Sequence, residues 1–247
     1  MKMNRYDITK IATLLVIFAV GVMGGYYLQK PKPKLPIINP SDLNSALVDD
    51  SLEHTGRNHR IGDFSLYNQD SAITTQANLE GKIYVADFFF ATCQTICVDM
   101  AKNMRLLQET FKNDPEVVLV SHTVYPEKEG VAMMRDYAQK QNAIPNKWYF
   151  LTGDKEQIYT LARKHYFAVM EPGATFNEHD FIHTDNFILV DSKKRIRGMY
   201  VGTDDLEIQK LVADLKILLK EERGHWRKMQ NSFSKKSFLA EGVLHFS

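Results

Sequence analysis

GKIYVADFFFATCQTICVDMAKNMRLLQETF (81–111) is the stretch that decides the fold. Its first half is a short apolar run of the kind that forms a buried strand. From 97 to 113 the apolar residues Met100, Met104, Leu107 and Phe111 recur at helical spacing. Between the two lies Cys-x-x-x-Cys, Cys93 and Cys97, the two cysteines of the 247-residue chain. In open α/β sheets, ligands gather beyond the carboxyl ends of strands, where a strand turns into a helix. The pair therefore stands where chemistry is expected before any function is considered.

Working outward, VVLVSHTV (117–124) reads as a second buried strand. Residues 129–142 read as a helix, ended by the Ile144-Pro145 step. KWYFLTG (147–153) is a third strand. Asp154 is placed to cap a helix running to about Lys164, with Gln157 at the capping-box position. NFILVD (186–191) and IRGMYVG (196–202) form a hairpin pattern across Ser192-Lys193-Lys194. Asp204 or Asp205 then caps a last amphipathic helix to about Glu222. Alternating strands and helices followed by a hairpin and a helix predict an α/β domain with right-handed crossovers, in the order of a thioredoxin-like fold, over 61–222.

Before this domain the chain reads as three segments. Residues 1–10 are expected in the cytoplasm. Residues 11–28, IATLLVIFAVGVMGGYYL, carry no charge and are near the length a helix needs to cross a bilayer. Tyr26 and Tyr27 lie at one end, where interfacial aromatics are favoured. A cleaved signal has a shorter apolar run and small residues at its cleavage site, which Gly24-Gly25-Tyr26 does not supply. A single transmembrane anchor is the expectation. Lysines and arginine flank both ends almost equally, so charge alone barely orients it. Residues 29–60 read as a stiff linker, with four prolines in KPKPKLPIINP (30–40). Residues 223–247 read as a flexible basic tail.

Composition excludes some classes. The 31 basic and 30 acidic residues give a net charge of +1, without the basic excess of a nucleic-acid binder. Two cysteines so close in sequence make a local site, not the framework of a disulfide-stapled scaffold. On a helical turn, positions i and i+4 share a face with β-carbons about 5–6 Å apart. That spacing suits two thiolates on one ion and also suits a disulfide. The alternative is an inert buried pair. A helix N-terminus favours the thiolate, which either chemical role requires.

A soft sulfur pair selects copper(I) or zinc over hard cations and needs a further ligand. His54, His59, His165, His225 and His245 read as surface residues. His122, His179 and His183 are the candidates. The residues alone do not choose among them.

Four motifs in order, DFFFATCQTIC (87–97), WYFLTG (148–153), FIHTDNFILVD (181–191) and RIRGMY (195–200), resemble the Sco/SenC family. The resemblance runs from about Gly62 to Leu219. Its members are membrane-tethered, thioredoxin-like copper proteins that help assemble the binuclear copper centre of cytochrome c oxidase. The resemblance implies that Cys93, Cys97 and His183 bind one copper ion, Cu(I) or Cu(II). It implies that the partner is an oxidase copper-site subunit or another copper acceptor. The N-terminus lacks the Arg- and Ser-rich stretch of an organelle transit peptide, so a bacterial inner membrane is expected, and the resemblance implies that the domain faces the periplasm. The alternative it leaves is a thiol–disulfide oxidoreductase that keeps the acceptor's cysteines reduced through Cys93 and Cys97. Several family positions differ. Gln94 and Val98 stand where prolines are usual, Val124-Tyr125-Pro126 replaces Val-Asp-Pro, and His183-Thr184-Asp185 replaces His-Ser-Thr.

Overall fold

A computed structural model describes residues 5–29, 33–43, 58–93, 95–168 and 184–243, with backbone alone at 5–9, 11–12, 27–29, 225 and 227–243. The chain divides into two units, Met1–Lys34 and Leu35–Ser247.

In the first unit, helix α1 (Arg5–Gln29) contains the whole uncharged run. Its described apolar side chains, from Leu14 to Met23, are exposed on all sides. Among the described residues, no helix is long and apolar enough to cross a membrane.

The second unit is built on a five-stranded sheet. Strands β1 (Ser65–Tyr67) and β2 (Ile73–Thr75) make a separate small hairpin. The sheet comprises β3 (Ile83–Phe89), β4 (Val117–Thr123), β5 (Trp148–Leu151), β6 (Asn186–Val190) and β7 (Ile196–Val201), ordered β5-β4-β3-β6-β7. β3, β4 and β5 are parallel; β6 pairs antiparallel with β3 and with β7, so β6 alone runs against the other four strands. β3 and β4 are buried at every position, as parallel strands covered on both faces must be.

Alternation along β3 sorts the core into two layers. Ile83, Val85 and Phe89 face Met100, Met104 and Leu107 of α2 (Ile96–Thr110) and Leu211, Leu215 and Leu218 of α5 (Asp205–Val243). Tyr84, Ala86 and Phe88 face the other layer, with Ile158 and Tyr159 of α4 (Lys155–Thr160). The second crossover carries α3 (Val131–Lys140). The predicted α/β, thioredoxin-like layering is present.

Lys147 holds the far end of α2. Its buried ammonium donates to the carbonyls of Phe111, Asp114 and Val117 at 2.5, 2.8 and 2.6 Å. All three of its donors are satisfied, which is what makes a buried lysine tolerable.

Several expectations need correction. The linker does not extend to residue 60 as free chain. Ile38 bridges Ile196, and Arg197 donates to the carbonyls of Leu35 and Pro36 while paired with Asp191 and Glu221. His59 is buried rather than on the surface, with its Nε2 2.7 Å from the His165 carbonyl. Asp154 does cap α4, accepting the Gln157 amide at 2.7 Å. The Gln157 side chain, however, accepts the Ser65 amide instead of closing a capping box. The last helix does not stop near Glu222 but continues to Val243. Gly224 alone, costing about 1 kcal/mol, does not break a helix that contains no proline. Arg223 is no loose tail residue, since it grips Glu116 through two bonds and Asp114 through a third.

Two buried ionisable groups set opposing pH dependences. His122 is fully buried on β4 against Phe88, and burial lowers its pKa to about 4, against a partial offset from the Asp87 carbonyl. Asp87 is buried on β3, and burial raises its pKa to about 7 despite the hydrogen bond from Ser121. Between about pH 4 and 6.5 the unfolded chain has a proton on the histidine that the native chain lacks, so stability rises with pH. Over the same range native Asp87 has a proton that the unfolded chain lacks, so stability falls with pH. Each slope approaches about 1.4 kcal/mol per pH unit. The two nearly cancel in the wild type. Denaturant unfolding of His122→Phe is expected to lose stability, relative to wild type, as pH rises through this window. Asp87→Asn is expected to show the reverse. Variant curves parallel to wild type would contradict both burials.

Candidate metal centre

The cysteines sit where β3 hands the chain to α2. The strand ends at Phe89, and the Cys93 amide donates to the Phe90 carbonyl at 3.1 Å. Thr95 is not helical, and the Val98 amide donates to its carbonyl at 3.1 Å. Cys97 is the second residue of α2, only 7% exposed, and packs among Met100, Phe89 and Tyr200. Cys93 lies on the loop and is partly exposed. The two thiols hydrogen-bond to each other, but not through the helical i, i+4 spacing the sequence suggested, because Cys93 precedes the helix.

Their environments differ sharply. Burial pulls the Cys93 thiol upward, but hydrogen bonds outweigh it and bring the pKa down to about 7. These come from the Thr95 hydroxyl, 3.3 Å from the sulfur, from the Cys97 and Thr95 backbone amides, and from the Cys97 thiol. Burial pushes Cys97 up to about 12; the Phe90 backbone opposes this, while Cys93 and Asp87 add to it. The pair is thus one ready thiolate beside one protected thiol.

The histidines divide. His122 belongs to β4 and faces the opposite layer from Cys97. Strand alternation removes it as a ligand to this pair. His59 and His165 contact one another elsewhere, the His165 Nδ1 accepting the Gly62 amide at 3.2 Å. His179 and His183 lie outside the described residues. Among the described residues, no three His, Cys, Asp or Glu side chains gather as a metal would require.

The sheet nonetheless directs the chain after His183 to the cysteine end. Antiparallel pairing of Ala86 with Ile188 and Tyr84 with Val190 sets the start of β6 beside the end of β3. Asp185 is fixed there. Its carbonyl accepts the Gly202 amide at 2.6 Å and its carboxylate accepts the Thr203 hydroxyl at 2.8 Å. The Gly202 carbonyl in turn accepts from Asn103 of α2 at 2.7 Å. A Cβ on Gly202 would lie 2.6 Å from the Asp185 carbonyl, so only glycine permits this closure.

Sequence reasoning missed Thr95, whose contribution comes from a hydroxyl direction that no spacing rule reveals. It also missed Asp87, although one acid inside an otherwise apolar strand was a visible signal.

A family model described as SCO1/SenC matches residues 52–220. The SCO1 protein homolog of Bacillus subtilis (strain 168) is 28% identical over 161 residues, covering 64% of this chain and 82% of its own. The crystal structure of a SCO1/SenC family lipoprotein from Bacillus anthracis is 28% identical with a TM-score of 0.58, covering 66% of this chain and 96% of that one. BsSco, a member of the Sco family of cytochrome c oxidase assembly proteins in which a disulfide switch was identified, is also 28% identical. It has a TM-score of 0.55 and covers 64% of this chain and 92% of its own.

In the reduced protein, pH-dependent alkylation followed by peptide mass analysis is expected to modify Cys93 with a midpoint near pH 7, while Cys97 stays unmodified at neutral pH. Thr95→Ala should move the Cys93 midpoint upward by about one unit, the worth of one hydrogen bond to a charged group. An unmoved midpoint would show that the Thr95 hydroxyl does not serve the thiolate.

Proposed function

Because this chain belongs to the SCO1/SenC family, we propose that it binds copper through Cys93, Cys97 and His183 and delivers it to the copper site of a cytochrome c oxidase. The observation that carries the reading is the convergence of two thiols, with unequal pKa values, at a strand-to-helix turn. Two sulfurs meeting where the loop enters α2 fit a soft ion, Cu(I) first, and imidazole extends the set to Cu(II). His183 stands three residues before Asn186, the first residue of β6, whose start adjoins the end of β3. The role of BsSco as an oxidase assembly protein supports the oxidase as destination.

In this reading copper is cargo. Cys93 offers a thiolate at neutral pH and makes the first bond. Cys97 must give up a proton to make the second, so loading is coupled to pH. Three protein ligands leave a position open to an acceptor's cysteine or histidine, and the ion passes by stepwise ligand exchange.

The thiol asymmetry favours a second reading. The partly exposed Cys93 thiolate attacks a disulfide of the acceptor and forms a mixed disulfide. Cys97 then displaces the acceptor thiol, leaving the acceptor reduced and Cys93–Cys97 oxidised. The disulfide switch of BsSco is consistent with such exchange.

The same proposal includes membrane attachment. The eighteen uncharged residues 11–28, at 1.5 Å per residue, reach roughly 27 Å, close to the thickness of a bilayer core. A helix apolar all round, with its apolar side chains exposed, needs a lipid or protein covering. We place this helix in the bacterial inner membrane and the domain in the periplasm. Tethering raises the site's effective concentration near a membrane-bound acceptor.

Competition titration of the full chain in detergent with Cu(I) is expected to give one ion per chain. A Cys93→Ala/Cys97→Ala protein should bind none at that site, and His183→Ala should bind at least about tenfold more weakly. Wild-type affinity in His183→Ala would remove that residue from the ligand set. Separately, the metal-free protein should reduce a disulfide-bonded acceptor peptide if the second reading operates. Absence of the Cys93 mixed disulfide in a Cys97→Ser trap would exclude it.

A further inference from the structure

The ends of three neighbouring strands meet on one buried acid. Glu129 is 1% exposed. Its Oε1 accepts the backbone amide of Thr92, just beyond β3, at 3.2 Å. Its Oε2 accepts the hydroxyl of Thr123, the last residue of β4, in a short hydrogen bond. The Thr123 oxygen also accepts the Tyr125 amide at 3.1 Å. The Glu129 carbonyl accepts the hydroxyl of Thr152, just beyond β5, at 2.7 Å. Its own amide donates to the Tyr125 carbonyl at 2.9 Å.

Among the described residues, none forms an ion pair with this carboxylate. A buried carboxylate held only by neutral donors costs free energy. What Glu129 adds is its reach to Thr92, the residue before Cys93. Cys97 is placed by α2 itself, so the spacing of the two sulfurs depends on the loop that carries Cys93. A metal or disulfide partner needs that geometry within about 0.5 Å.

We propose that Glu129 is a positioning residue for the copper site, fixing Cys93 by holding the amide immediately before it. The proposal rests on the copper reading above. It assigns Glu129 no contact with the ion. The β4–α3 loop, including Tyr125 at the position of the family's aspartate, thereby becomes part of the support of the Cys93 loop. The Phe90 and Tyr125 rings, 5.7 Å apart, join the same two loops.

Three variants of the full chain test this. Glu129→Gln can keep both contacts, its oxygen accepting from Thr92 and its NH2 donating to the Thr123 hydroxyl oxygen. It should retain Cu(I) affinity within about threefold of wild type and keep the Cu(II)–thiolate charge-transfer band. Glu129→Ala should lose about 10–100-fold in affinity and shift the band. In the metal-free state, hydrogen exchange at the Thr92 amide should accelerate in the alanine protein and not in the glutamine protein. If Glu129→Ala does not fold, Glu129→Asp carries the same test. Its carboxylate, one methylene short, no longer spans Thr92 and Thr123, and affinity and protection fall together. A folded alanine or aspartate protein with wild-type affinity, band and exchange overturns the proposal. A glutamine protein as weak as the alanine protein also overturns it, because charge rather than position would then be at work. Failure of wild type to bind copper would sink the copper reading alone, since the exchange comparison still tests the clamp.

Discussion

A strand buried on both faces must leave its sheet at the carboxyl end before the chain can meet solvent or ligand. β3 is such a strand, with seven consecutive buried residues followed by a short loop and α2. This constraint places Cys93 on a partly exposed loop and Cys97 one step inside a helix packed on the core. The thiols meet at this turn and hydrogen-bond to each other. Their unequal acidities follow from the same placement. The loop cysteine collects hydrogen bonds from Thr95 and from the start of the helix, and the helix cysteine is desolvated beside Phe89 and Met100.

The rest of the domain supports that junction from several sides. Lys147 secures the distal end of α2. Asn103 ties the helix to Gly202, and Gly202 ties Asp185 to the start of β6. Glu129 gathers the loops that follow β3, β4 and β5. Leu35 and Pro36, near the beginning of the second unit, are held by Arg197 at the opposite edge of the sheet. The domain is thus built so that a strand-to-helix turn, an antiparallel strand start and a buried carboxylate share one end of the sheet.

Much of this was legible in the amino-acid pattern. β3 and β4 stood out as mostly apolar runs, α2 as a 3.6-residue stripe, Asp154 as a helix cap, and Asp204 or Asp205 as another; Asp154 and Asp204 are the caps observed. The cysteine pair was visible from spacing alone. What was not legible depended on contacts distant in sequence. β1 and β2 are three residues each, too short to show a period. Residues 35–43 look like linker because they continue the proline-rich KPKPKLPIINP run, yet Leu35 and Pro36 are held through backbone carbonyls that no side-chain pattern advertises. His59 read as a surface residue until its ring met the His165 carbonyl. Glu129 is one acid among 30 in the chain, and nothing around it in PEKEG (126–130) distinguishes it from Glu127. The choice of His183 over His179 came from family resemblance, and both residues lie outside the described structure.

X-ray absorption at the copper edge of the loaded full-length chain bears most directly on the ligand set. The account predicts a first shell of two sulfurs and one imidazole nitrogen, with the imidazole scattering lost in His183→Ala and one sulfur lost in Cys97→Ser. A first shell without sulfur, or an imidazole signal that survives in His183→Ala, would contradict it.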